Sequence, residues 1–112
     1  MNREDVLVVT TESIANHEVV KTIGEVFGIT VQSRDMFTDF GAGIRNMFGG
    51  EVKSYTTMLE NARIEAVDRM QDNALAKGAN AVLAVRFDSN MSTEGTSSVV
   101  AYGTAVVIQP KA

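Results

Sequence analysis

The chain has 112 residues and a mass of 12.1 kDa, the size of one domain, with 45% apolar and 21% charged residues. Its 14 acidic residues against 10 basic ones leave a formal charge of −4, which argues against a nucleic-acid or anionic-membrane partner. The absence of cysteine excludes disulfides, thiolate metal sites and cysteine nucleophiles, and a single histidine, His17, excludes the commonest zinc arrangements.

In chain order, residues 1–5 are polar, and the apolar run of residues 6–9 is too short for a signal-peptide core or a membrane span. A cytoplasmic address is the resulting expectation. Residues 6–10 read as a short β-branched strand. Residues 19–33, rich in Val, Ile and Thr, read as a long second strand, with Gly24 and Gly28 as places for bulges or bends. Over residues 35–48, Met36, Phe37, Phe40, Ile44, Met47 and Phe48 recur at helical spacing and predict a short amphipathic helix. Gly41 and Gly43 weaken it, each by roughly 1 kcal/mol relative to alanine.

The strongest element is a helix over residues 51–77. At about 100° per residue, Val52, Tyr55, Leu59, Ala62, Ala66 and Met70 fall in one stripe. Glu51 complements the positive end of the helix dipole, Glu65 and Arg69 form an i,i+4 pair, and Gly78 suits a left-handed C-cap. Residues 79–88 alternate, with Ala81, Leu83, Val85 and Phe87 on one face and Val82, Ala84, Arg86 and Asp88 on the other. Residues 89–98 carry turn chemistry and predict a long hairpin loop. Residues 98–109 read as a last strand, apolar on both faces near its end (Ala105, Val106, Val107, Ile108) and closed by Pro110. The expected fold is a single α+β domain over residues 1–112. A curved antiparallel sheet of about four strands packs on one long helix, with the short amphipathic helix before it.

One long helix covers only one face of a sheet, yet this sheet has two apolar faces. Either the short helix folds back over the second face of a monomer, or another copy of the chain covers it. The second arrangement is the expectation.

Several motifs in order resemble a known family: Gly49-Gly50-Glu51, Tyr55, Ala62-Arg63, Ala66, Met70, the run Gly78-Ala79-Asn80-Ala81-Val82, and Gly103-Thr104-Ala105-Val106. Asp39-Phe40 and Gly43-Ile44-Arg45 also fit. Together they are similar to the YbjQ-like family of small bacterial and archaeal proteins, over nearly the whole chain. The resemblance implies a dodecin-like subunit and a ring-shaped homopentamer. It also brings a heavy-metal-binding label, which no motif in this sequence carries.

Soft-metal sites need clustered thiolate, thioether or imidazole groups. His17 stands alone, and the methionines at 36, 47, 58, 70 and 91 are scattered, which suits core filling. Asp68 and Asp72, at i,i+4, could hold a hard cation but read as a solvated helix face. Gly49-Gly50 could cradle a phosphate, but no lysine or serine completes the pattern, and Glu51 repels an anion there. Arg63 falls about 20° from Val52 and Met70 on the helical wheel, inside the apolar stripe. Buried there it needs a partner: Asp35, Asp39, Glu25, Asp88 or a bound anion. Arg34 and Arg86 also interrupt apolar strand faces, so the three arginines are candidates for an interface pocket holding a small anion. No catalytic constellation is announced by spacing. The functional expectation is a non-enzymatic homo-oligomer, a pentamer by the resemblance, that binds or scaffolds without a cofactor and holds any ligand between subunits. Heavy-metal binding is the alternative, and an enzyme of unknown chemistry the second alternative.

Overall fold

Residues 1–32, 51–91 and 97–112 are described by a computed structural model. The expected short helix over residues 35–48, the Gly49-Gly50 turn and Arg34 lie outside the described residues. After a single 3-10 turn at Arg3–Asp5, the elements are β1 (Leu7–Val8), β2 (His17–Gln32), α1 (Glu51–Ala76), β3 (Ala81–Met91) and β4 (Ser97–Pro110). The four strands form one sheet in the order β1-β3-β4-β2. Among the described residues no helix is long and apolar enough to cross a membrane.

The predicted helix stands, with Ala62, Ala66, Met70 and Ala74 buried at strict four-residue spacing. Of the rest of the predicted stripe, Leu59 is 41% exposed, and the side chains of Val52 and Tyr55 lie outside those described. The helix ends as its glycine suggests. Gly78 takes φ +90°, its N–H donates to the Leu75 carbonyl, and the Ala79 N–H reaches back to the Ala74 carbonyl, a Schellman closure. Three small alanines and a glycine bring helix and sheet into backbone contact. A Cβ on Gly28 would lie 2.2 Å from the Ala66 carbonyl oxygen and 2.3 Å from the Met70 nitrogen. Gly28 is therefore a point of close approach, whereas Gly24, at φ +133°, sits where the β2–β4 register shifts.

The sheet is mixed, which corrects the antiparallel expectation. β1 runs parallel to β3, with Leu7 opposite Ala81 and Val8 opposite Val82. Residues 9–16 do not turn back as a hairpin. They cross the face opposite the helix, from one edge strand, β1, to the other, β2. On the way Val9 and Ile14 pack on Ala81, Leu83, Val106 and Ile108. The second apolar face of the last strand thus has an intrachain cover at this end.

The alternation expected for β3 also breaks. Val82 packs with Val85 and Phe87 in the main core, while Ala81 and Leu83 belong to the opposite cluster. The cause is a bulge between Leu83 and Arg86, where Ala84 adopts φ 54° and its N–H donates to the Thr11 carbonyl (2.8 Å). One extra residue turns every following side chain to the other face. The hairpin loop is shorter than predicted, because β3–β4 pairing continues through Asn90 opposite Ser98 to Met91 opposite Ser97. Polar side chains on this ribbon do not stop the backbone ladder, which needs only N–H and C=O groups.

Candidate functional site

The helix lies mainly on β2 and β4 and barely touches β3. On the β1–β3 side this leaves a groove of about 560 Å³. Val8, Val67, Val85 and Phe87 form the apolar walls, the Thr10 segment lies at one side, and Glu60, Arg63 and Ile64 line it from the helix. Arg63 is not buried in the stripe, which corrects that expectation, and it has no carboxylate partner among the described residues. It is exposed, with its guanidinium 4.3 Å above the Phe87 ring. A long side chain at the stripe's border lays its stem along apolar surface and carries its charge outward. Such a stacking contributes roughly 0.5–1 kcal/mol at an exposed site.

Of the four proposed partners, Asp35 and Asp39 lie outside the described residues, and neither Glu25 nor Asp88 is among the ion pairs of the described ones. Arg86 follows the bulge and points to the opposite face from Phe87. Its Nη1 donates to the carbonyls of Thr10 (3.2 Å) and Val85 (3.0 Å). Arg63 and Arg86 are therefore not brought together within one chain. Among the described residues, Arg3, Arg69 and Arg86 all donate to acceptors within the fold, while Arg63 has only the ring beneath it.

Asp68 and Asp72 are paired, not merely solvated. Arg3 grips Asp72 through Nε and Nη2, both at 2.9 Å, and lies 3.4 Å from Asp68. Hydrogen bonding to Arg3 holds the Asp72 carboxyl below its ordinary range and raises the guanidinium in turn. Gln71 donates to the Val6 carbonyl (2.8 Å), so the N-terminal segment is pinned to the helix beside the groove. Nothing local in the sequence marks Arg3 for this role.

A second row of contacts runs along β2. Arg69, Asn73 and Lys77, one helical turn apart, donate to the carbonyls of Ile29 (2.6 Å), Phe27 (2.7 Å) and Glu25 (3.2 Å). The predicted Glu65–Arg69 pair steadies the first of them. These carbonyls lie on the outer edge of the sheet, where unpaired groups invite strand addition. The helix thus blocks that edge over residues 25–29. The spacing of 69, 73 and 77 beside the buried stripe was the available signal for this row.

On the sheet face opposite the helix, Phe27, Ile29 and Val31 are 48%, 40% and 62% exposed. Tyr102 and Val100 stand opposite Phe27 and Ile29 on β4 and continue the patch. For metal, the described residues contain no group of three or more His, Asp or Glu side chains placed to hold an ion. The His17 Nδ1 donates to the Ala15 carbonyl (2.8 Å), and Met70 is buried in the core. Met36 and Met47 lie outside the described residues, as do the side chains of Met58 and Met91.

A family model described as "putative heavy-metal-binding" and named YbjQ matches residues 6–109. A protein of Limosilactobacillus fermentum named UPF0145 is 53% identical over 100 residues, covering 89% of this chain and 88% of that one. Its namesake in Oenococcus oeni is 51% identical over 102 residues, covering 91% and 96%. One from Sulfurisphaera tokodaii is 44% identical over 104 residues, covering 93% and 91%. Among solved structures, a Pediococcus pentosaceus protein of unknown function from the DUF74 family aligns with a TM-score of 0.58 at 12% identity, covering 93% of this chain and 98% of that one. That likeness supports the fold alone.

Proposed function

The chain belongs to the YbjQ family, and from that premise we propose that it is a non-enzymatic, self-assembling binding or scaffolding module of the cytoplasm. In this reading the subunit is dodecin-like, the short helix over residues 35–48 forms, and five copies close a ring. The observation that carries it is the apolar patch of Phe27, Ile29, Val31, Val100 and Tyr102, which no described residue covers. A contiguous patch of this kind marks an interaction surface. With the neighbouring edge carbonyls already held by Arg69, Asn73 and Lys77, copies meet through the face and not by adding strands at residues 25–29.

Native mass spectrometry of the full chain tests this reading. A particle of five times 12.1 kDa is expected, and a 12.1 kDa particle at micromolar concentration overturns it. Elemental analysis of the same sample addresses the family's description. Stoichiometric metal per chain after growth with zinc, copper or nickel would replace this reading with heavy-metal binding.

A further inference from the structure

We propose that the groove between α1 and the β1–β3 edge is a binding site for a small organic monocarboxylate with an aliphatic body, held by Arg63. The inference rests on the binding-module reading but not on assembly, because every lining residue comes from one chain.

Three observations converge. The volume of about 560 Å³ is that of a ligand cleft, and its walls, Val8, Val67 and Val85, are aliphatic. Arg63 holds its guanidinium carbon 4.3 Å over the Phe87 ring, a contact that steadies the charge beside the groove. The guanidinium donors of Arg63 have no acceptor among the described residues, unlike those of Arg3, Arg69 and Arg86. A planar fork with free donors at the mouth of an apolar cleft matches a carboxylate carried on a hydrocarbon body. Glu60, one turn before Arg63, also lines the groove and sets the charge limit. It repels a second negative charge, which favours a monoanion over phosphate or a dicarboxylate. Asp68 also lines the groove and is only partly offset by Arg3, which lies 3.4 Å away and is shared with Asp72, so it adds to that repulsion.

The test is titration of the isotopically labelled full chain, followed by backbone amide resonances, with octanoate below its aggregation threshold. Octanol and inorganic phosphate serve as the two half-ligands. Octanoate should shift the amides of Val8, Val9, Arg63, Ile64 and Phe87, and octanol should bind about tenfold more weakly or worse. Phosphate should shift none of them. Arg63→Gln, at an exposed position that leaves the core intact, should lose about tenfold or more in octanoate affinity. Equal binding of octanoate and octanol, undiminished binding by Arg63→Gln, or equal binding of phosphate overturns the proposal. So do shifts centred on Phe27, Ile29 and Val100, which would mark adsorption to the open face. The oligomer reading stands or falls separately, on particle mass.

Discussion

The sheet face away from the helix has two ends that solve the same problem differently. At one end Ala81, Leu83 and Val106 lie under Val9 and Ile14 of the crossing segment. At the other, Phe27, Ile29 and Val31 carry residues of equal or greater bulk with no described cover. Both ends are built from alternating apolar positions, so pattern alone does not separate them. The difference is made by a segment distant in sequence, which reaches only as far as the Ala84 bulge. Where a described segment covers the sheet the contacts serve stability, and where none of the described residues does, the apolar side chains are left for another cover.

Substitutions sharpen this contrast. The largest loss should come from the helix-side reference, Gly28→Ala. Its Cβ has no room against the helix backbone, so unfolding in urea should show a loss of about 3 kcal/mol. At the covered end, Leu83→Ala should cost about 2–3 kcal/mol without changing particle mass. Its counterpart at the end with no described cover, Ile29→Ser, should leave single-chain stability within about 0.5 kcal/mol but reduce particle mass in light scattering. If the two variants behaved alike, the contrast would fail.

Asn73→Ala removes the middle donor of the row guarding β2. It should cost about 1 kcal/mol and increase thioflavin-positive aggregation on heating, as the Phe27 carbonyl becomes open to strand addition. Thr30→Val should do the reverse for stability. Thr30 is 3% exposed, and its hydroxyl has no hydrogen-bond partner among the described residues, so an isosteric methyl should raise the urea midpoint by about 1 kcal/mol equivalent.

The smallest effect is expected at the exposed Arg3 clamp. The folded-state pKa of Asp72 is depressed, so the clamp's contribution is complete above the unfolded-state value, about pH 4, and is lost as pH falls through the folded-state value. Asp72→Asn should flatten the melting temperature against pH in that acid window and leave its shape near neutrality unchanged.

The long helix, its cap at Gly78, the four strands and the Glu65–Arg69 pair were legible because each is a local signal of spacing or turn chemistry. The groove was not. It depends on the face switch at Ala84, and alanine carries no mark of a left-handed conformation. It also depends on the crossing of residues 9–16, which short-range periodicity does not encode. Arg63 was singled out by its position on the wheel, but the wheel gives the direction of Cβ and not the reach of a four-bond side chain, so its exposed stacking on Phe87 was misjudged as burial. The Arg3 clamp and the parallel β1 join residues far apart in the chain, and sequence spacing says nothing about such pairs.

The parallel pairing of β1 with β3 has a consequence for synthesis. Leu7 and Val8 find their partners only at Ala81 and Val82, and Thr11 only at Ala84. On the ribosome, the first strand must wait unpaired while the helix and its cap are made, since chains grow at about 5–20 residues per second. For those seconds the apolar residues 6–9 are a nascent-chain liability, and a chaperone that holds the emerging amino-terminal segment would relieve it.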